Sequence, residues 1–226
     1  MECLMKTGLT RHESLLYIIL CKEGELTGYE AAKISGIPRS NAYLALAGLV
    51  EKGGAYRIDS EAVRYTAVPA KEFVSNVRRQ FEQVLDYIEK NVPGRDLPRD
   101  PYISITGKSN IINKMRNMVE QAGQRIYISV SPRELEYVKN ELEGARDRGL
   151  KVVVITSGEF EMEGVILYRH PKQPGQVRLI VDTAYVLTGE ITDRDDCTCL
   201  YSQNKNLIQL IKDSLANEIK IVQMQK

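Results

Sequence analysis

Three things are scarce in this 226-residue chain: long apolar runs, cysteine, and an excess of either charge. The N-terminal region's longest apolar run is LLYIILC, Leu15 to Cys21. It falls well short of the roughly 20 residues a membrane helix needs. No basic start, apolar core and small-residue cleavage site follow one another, so no secretion signal is read. The four cysteines stand at positions 3, 21, 197 and 199, without a repeating framework. The expectation is a soluble protein of a reduced, cytoplasmic compartment with no membrane partner.

Charge is equally even-handed. Lysine and arginine total 31 against 30 acidic residues. The balance is zero over residues 1–69, zero over 70–91 and +1 over 92–226. A nucleic-acid domain usually shows a basic excess. Here any basic footprint must come from arrangement.

The periodic signals are strong where composition is not. Thr10-Arg11-His12-Glu13 is a capping box, and the segment behind it reads as a helix ending near Gly24. Thr27-Gly28-Tyr29-Glu30 is a second box, opening a short helix that Gly36 ends. Pro38 then starts a helix through NAYLALAGLVEK to Gly53-Gly54. AYRID and VRYTAV, parted by Ser60-Glu61-Ala62, read as a hairpin. Three helices and a two-stranded wing make a winged helix-turn-helix over residues 1–69. A small three-helix interaction module is the alternative that pattern leaves open.

Residues 70–91 read as one long helix. Val74, Val77, Phe81, Val84 and Ile88 recur at spacings of 3, 4, 3 and 4, the seam of a coiled coil and the expected homodimer interface. Residues 92–101 hold three prolines and a glycine and read as a linker. Beyond it strand and helix signals alternate: YISIT, a helix around SNIINKMRNMVEQAG, RIYISV, one helix over PRELEYVKNELEGARDRG, then KVVVITS. GVILYRH, QVRLIV, AYVLTGE and CTCLYS are further strands, and KNLIQLIKDSLANEI is a closing helix. The short turns among the later strands predict a mixed sheet in a C-terminal α/β domain over 102–226, within an α+β chain.

With these elements placed, the N-terminal third resembles the TrmB family of transcriptional regulators. Gly36-Ile37-Pro38-Arg39-Ser40-x-x-Tyr43, Leu49-x-x-Lys52-Gly53 and Tyr65-x-Ala67-Val68-Pro69 carry the resemblance. It implies binding to double-stranded operator DNA as a homodimer and a response to a small-molecule effector, sugars among the family's ligands. One departure stands out. The family's recognition helix carries charged residues along its middle, where this chain has Leu44, Ala45, Leu46, Ala47 and Gly48.

The C-terminal half is similar to phospholipase-D-like domains. That superfamily uses His-x-Lys-x-x-x-x-Asp with Gly-Ser shortly after, the His being the nucleophile. Asp182 and Gly189 match, but Gly175 holds the His position, Val177 the Lys position and Glu190 the Ser position. His170-Pro171-Lys172 lies five residues too early, with Val177 where its Asp should be. The reading is a retained scaffold that has lost the chemistry, and no cofactor is expected; a phosphodiesterase or nuclease with displaced residues is the alternative.

On the recognition helix, Arg39, Ser40, Asn41, Tyr43 and Leu44 are expected outward, with Ala42, Leu46 and Leu49 inward. Asn41 suits adenine, Leu44 and Ala47 suit thymine methyls, and Ser40 or Tyr43 can reach phosphate. Lys33, Arg39, Arg57 and Arg64 are the expected phosphate contacts. Tyr168, Arg169, Asp182, Tyr185 and Glu190 are the candidate effector-pocket residues. Cys197-Thr198-Cys199 places two thiols on one strand face without a nearby histidine, so packing is preferred to a metal role.

Overall fold

The computed structural model describes residues 1–94, 102–194 and 196–224, in two compact units, Met1–Gly94 and Arg95–Lys226. The expected linker, residues 92–101, lies outside the described residues from 95 onward.

The first unit opens with α1 (Glu2–Met5) and α2 (Arg11–Glu23), followed by β1 (Leu26–Thr27), α3 (Gly28–Ser35) and α4 (Arg39–Glu51). The wing is β2 (Ala55–Ile58) and β3 (Arg64–Ala67), and α5 (Ala70–Asn91) closes the unit. Both capping boxes form: Thr10 N–H donates to Glu13 at 2.7 Å and Thr27 N–H to Glu30 at 2.8 Å. Gly36 takes the left-handed φ of 69° that ends α3. The wing hairpin gains a third strand, because β1 pairs antiparallel with β3 through Leu26–Tyr65 and Thr27–Arg64. A two-residue strand leaves no period to read, so pattern alone misses it.

Leu16, Leu20, Leu46 and Leu49 are fully buried and knit α2 to α4. Tyr17 donates its hydroxyl to the Val68 carbonyl at 3.1 Å and lies 5.1 Å from the Phe73 ring. The last strand of the wing and the first turn of α5 are thereby fastened to α2.

The second unit is one sheet between two layers of helices. Its elements run β4 (Tyr102–Thr106), α6 (Lys108–Glu120), β5 (Arg125–Val130), α7 (Pro132–Glu136), α8 (Lys139–Asp147), β6 (Lys151–Thr156) and β7 (Ile166–Arg169). After these come β8 (Gln176–Val181), β9 (Tyr185–Glu190), β10 (Thr198–Ser202) and α9 (Lys205–Met224). The strand order is β4-β10-β9-β8-β5-β6-β7. Only β5–β6 and β6–β7 are parallel, so the sheet is mixed, as the short turns implied.

Alternation along the strands sorts the two faces. Ile126, Ile128, Val152, Val154, Val177 and Leu179 pack against α6, α7 and α8. Ile155, Ile180 and Val186 pack against Ile208 and Leu215 of α9. The single helix expected over residues 132–149 is two, broken at Tyr137-Val138. Val138 is fully buried at the break and Leu135 and Leu142 are buried on either side.

Candidate nucleic-acid interface and the second unit's sheet

On the inward side of α4 the lack of charge has two structural causes. Ala42, Ala45, Leu46 and Leu49 face the core. Gly48 passes over the Glu13 carboxylate, and a Cβ there would sit 2.4 Å from Glu13 Oε1. A side chain of any length would displace that buried acid. Glu13 in turn accepts from Lys52 Nζ at 2.7 Å and from the Thr10 amide, while Lys52 also donates to the Gly8 carbonyl at 3.0 Å. Burial works against ionisation of Glu13, but Lys52 and the Thr10 amide outweigh it and hold the carboxyl below its ordinary value.

The outward side of α4 carries Arg39, Ser40, Asn41, Tyr43, Leu44 and Ala47, all exposed. Leu44 is 72 % exposed, an aliphatic side chain with no packing role within this unit. The Tyr43 ring covers Gly28 in the first turn of α3, where an added Cβ would lie 2.3 Å from it. That contact sets the direction of Tyr43.

Tyr29 is a member of this surface that pattern reasoning missed. It is 48 % exposed on α3, and the Arg39 guanidinium lies over its ring at 4.4 Å. Such an exposed cation–π pair is worth about 0.5–1 kcal/mol and holds Arg39 at the mouth of α4. Tyr29, Lys33 and Arg39 share one shallow cleft between α3 and α4. The available signal was Tyr29's place beside the buried pair Ala31-Ala32, one step off the core face.

On the wing, Arg57 pairs with Asp59 at 3.0 Å and Arg64 approaches Glu25 at 3.8 Å. Both pairs are open to solvent, where such contacts are weak and a phosphate can replace the acid. Along α5, Val74, Phe81, Val84 and Ile88 are exposed, and so are Leu85 and Tyr87. Val77 is half-buried against the winged core, and Phe73 is the helix's buried residue. The apolar stripe from Val74 to Ile88 is therefore open but for Val77.

In the sheet of the second unit the motif positions are filled by structure. Gly175 has φ of 82°, and a Cβ there would lie 2.4 Å from the Ile191 carbonyl oxygen, which leaves no room for a histidine. Val177 is fully buried under α6–α8. Lys172, almost wholly buried, donates to Glu218 of α9, which also accepts from Arg178 and from Ser129 Oγ at 3.1 Å. Burial lowers the Lys172 pKa while Glu218 resists it, so this lysine pins α9 to the sheet.

The five expected effector-pocket residues are not brought together. Asp182 accepts from the Gly123, Gln124 and Arg125 amides, each at 2.8 Å. Burial raises its pKa, but these three donors prevail and the carboxyl lies below its usual range. Its oxygens serve the turn into β5, which corrects its expected place in a pocket. Tyr185 pairs with Val181 at one end of the β8–β9 hairpin, and Glu190 with Gln176 at the other. Five residue steps of strand separate them, about 17 Å at 3.4 Å per step. Tyr168 and Arg169 end β7 on the Glu190 side, since β5 runs parallel to β6 and antiparallel to β8. Proximity to a strand end was legible, but which ends coincide was not.

Tyr185 stacks on Tyr201 at 6.4 Å, and Lys114 Nζ lies 3.8 Å above the Tyr201 ring. Cys197 and Cys199 are buried, and burial pushes the Cys199 thiol up to about 12. A thiol held protonated is a poor metal ligand or nucleophile.

A three-helix unit with a wing, an outward strip on its third long helix and a separate sheet domain define a DNA-binding transcriptional regulator. Residues 4–71 match the model of the sugar-specific transcriptional regulator TrmB, and residues 103–218 match that of the TrmB EBD N-terminal subdomain. The chain belongs to the TrmB family. It is 27 % identical to the uncharacterized protein YrhO of Bacillus subtilis, over all of this chain and 86 % of that one. It is also 27 % identical to the sugar sensing transcriptional regulator TrmBL1 of Pyrococcus furiosus, over 70 % of this chain and 47 % of that protein. The match thus spans about half the length of TrmBL1. Among solved structures it is similar to TrmBL2, an archaeal chromatin protein, at 18 % identity and a TM-score of 0.49, covering 93 % of this chain and 92 % of the other. Among the described residues, no helix is long and apolar enough to cross a membrane.

Proposed function

We propose that this regulator works in the cytoplasm as a homodimer that lays α4 in the major groove of its operator and answers to a small effector held by residues 102–226. Asn41, Tyr43 and Leu44 read bases, with Ser40 on phosphate. Lys33, Arg39, Arg57 and Arg64 hold the backbone, and Val74, Val77, Phe81, Val84 and Ile88 form the dimer seam. The observation that carries the reading is the outward strip Arg39–Leu44, polar and apolar side chains presented on a helix whose other face is core.

The test begins with sequences selected by the purified protein from random DNA. Asn41→Ala should cost about 1–3 kcal/mol on the selected site and leave random DNA bound as before. Fluorescence anisotropy reads both. An equal loss on the two DNAs means that α4 does not read bases.

The sensor domain supplies no phosphodiester chemistry in this reading. Gly175 and Val177 stand where a nucleophile and its supporting cation belong, and Lys172 is engaged with Glu218. The protein should therefore release no product from bis-p-nitrophenyl phosphate or from DNA in excess. Turnover that copurifies with the wild type and is lost in His170→Ala would reverse this conclusion.

A further inference from the structure

The sensor unit contains a cavity of about 170 Å³ that lies between α9 and the sheet, at the end of the hairpin opposite Glu190. Tyr127, Ile180, Leu215 and Ile219 make its apolar walls. Arg125 and Lys212 line it as well. Among the described residues neither cation has an acidic partner within salt-bridge distance. Asp182 is the acid nearest in effect to Arg125, but its oxygens are taken by backbone amides. Asp213, beside Lys212 in sequence, is bound to Gln209 at 2.6 Å. Lys151 adds a third positive charge, 5.9 Å from the Tyr127 ring.

We propose that this cavity is the effector site of the sensor domain and that it takes a small monocarboxylate with one ring or a short branched chain as its apolar body. The inference rests on the effector-responsive reading above and gives it a ligand class. Size sets the body: an apolar cavity of about 150 Å³ accepts one benzene ring. Charge sets the head: a carboxylate answers the flat guanidinium of Arg125 in a bidentate pair, with Lys212 as a second donor. A neutral sugar is disfavoured, since hydroxyls turned toward Ile180, Leu215 and Ile219 would lose their hydrogen bonds with water and gain none on that side.

The site is also placed to act on the domain. Leu215 and Ile219 flank Glu218, the residue through which Lys172 and Arg178 pin α9 to the sheet. An occupant in the cavity braces the same stretch of helix. It biases the domain only so far as it favours that docked position of α9.

Calorimetric titration of the full chain with sodium benzoate tests the site, with benzamide and maltose as neutral probes. Benzoate should bind saturably, and benzamide and maltose should bind at least about tenfold more weakly or not at all. Arg125→Gln and Lys212→Gln alter exposed side chains and should leave the circular dichroism spectrum unchanged. Each should weaken benzoate by about tenfold or more. Ala216→Phe, which fills the cavity, should abolish binding. No benzoate binding, or binding indifferent to all three substitutions, overturns the proposal. Anisotropy with operator DNA separates the two layers of the argument. Maltose altering DNA affinity without benzoate binding keeps the effector reading and sinks this site. Benzoate binding at Arg125 without any effect on DNA retains a carboxylate site and removes its role as the effector site.

Discussion

Phe81→Glu should turn the protein into a monomer and lower its operator affinity by about 10²–10⁴-fold, the factor that linking two DNA-binding modules contributes. Phe81 stands near the middle of α5 and is 49 % exposed. A phenylalanine covered on both sides removes on the order of 150–250 Å² from water. Across a two-fold axis its replacement by glutamate sets two charges in one apolar seam, a cost that neither Val77 nor Val84 can offset. The winged unit itself should survive, because Phe81 is not part of the core built on Leu16, Leu46 and Phe73. In the proposed dimer, assembly matters to binding through geometry. Two half-sites one turn apart lie about 34–36 Å from each other, and a fixed pair of α4 helices is needed to meet both. The 22 residues of α5 span about 33 Å at 1.5 Å per residue, long enough to carry geometry between the effector-binding half and the DNA in the proposed dimer. Analytical ultracentrifugation and anisotropy on one preparation check both halves of the expectation. A variant that still sediments as a dimer would move the interface off α5.

What the sequence could and could not show follows from how local each feature is. The capping boxes at Thr10 and Thr27 and the stop at Gly36 involve neighbours in the chain, and they stand where the motifs place them. The outward and inward faces of α4 follow from helical period alone. Its lack of charge looked like a property of the DNA surface. For Leu44 and Ala47 that reading stands as a proposal, whereas Gly48 answers to Glu13, a residue of another helix, and no period within α4 could reveal that. The same holds in the sheet. Alternation marks β5, β6 and β8 as strands, but β4 lies beside β10 at the far edge, a pairing between residues about a hundred positions apart. Without that order, Asp182, Tyr185 and Glu190 look like neighbours because they are close in sequence. Register puts Tyr185 and Glu190 at opposite ends of one hairpin. The cavity under α9 was invisible for the same reason, since Arg125 and Lys212 meet only through the packing of a terminal helix on an internal strand.

The Glu13–Lys52 pair predicts the second large effect. Lys52→Met should destabilise the winged unit by about 2–3 kcal/mol at neutral pH, because the Glu13 carboxylate then stays buried without its cation. That lies at or below the range for fully buried pairs, since Lys52 is partly open to solvent. The pH dependence distinguishes this cause from a simple loss of packing. In the wild type Glu13 has a folded pKa below its ordinary 4.5. Its contribution is therefore present above that unfolded value and fades as pH falls through the folded one. In Lys52→Met the cation no longer opposes burial and the pKa of Glu13 rises. Protonation then relieves the variant first, so the stability gap between the two proteins should narrow as the pH falls through the ordinary carboxylate range. Urea unfolding of both proteins from pH 7 to pH 4 measures that gap. Because Gly48 of α4 rests on the same carboxylate, DNA binding by the variant should recover in Lys52→Arg and not in Lys52→Gln. A penalty that is flat with pH would mean that Lys52 acts through its aliphatic stem, and that the charge pair does not hold the recognition helix in place.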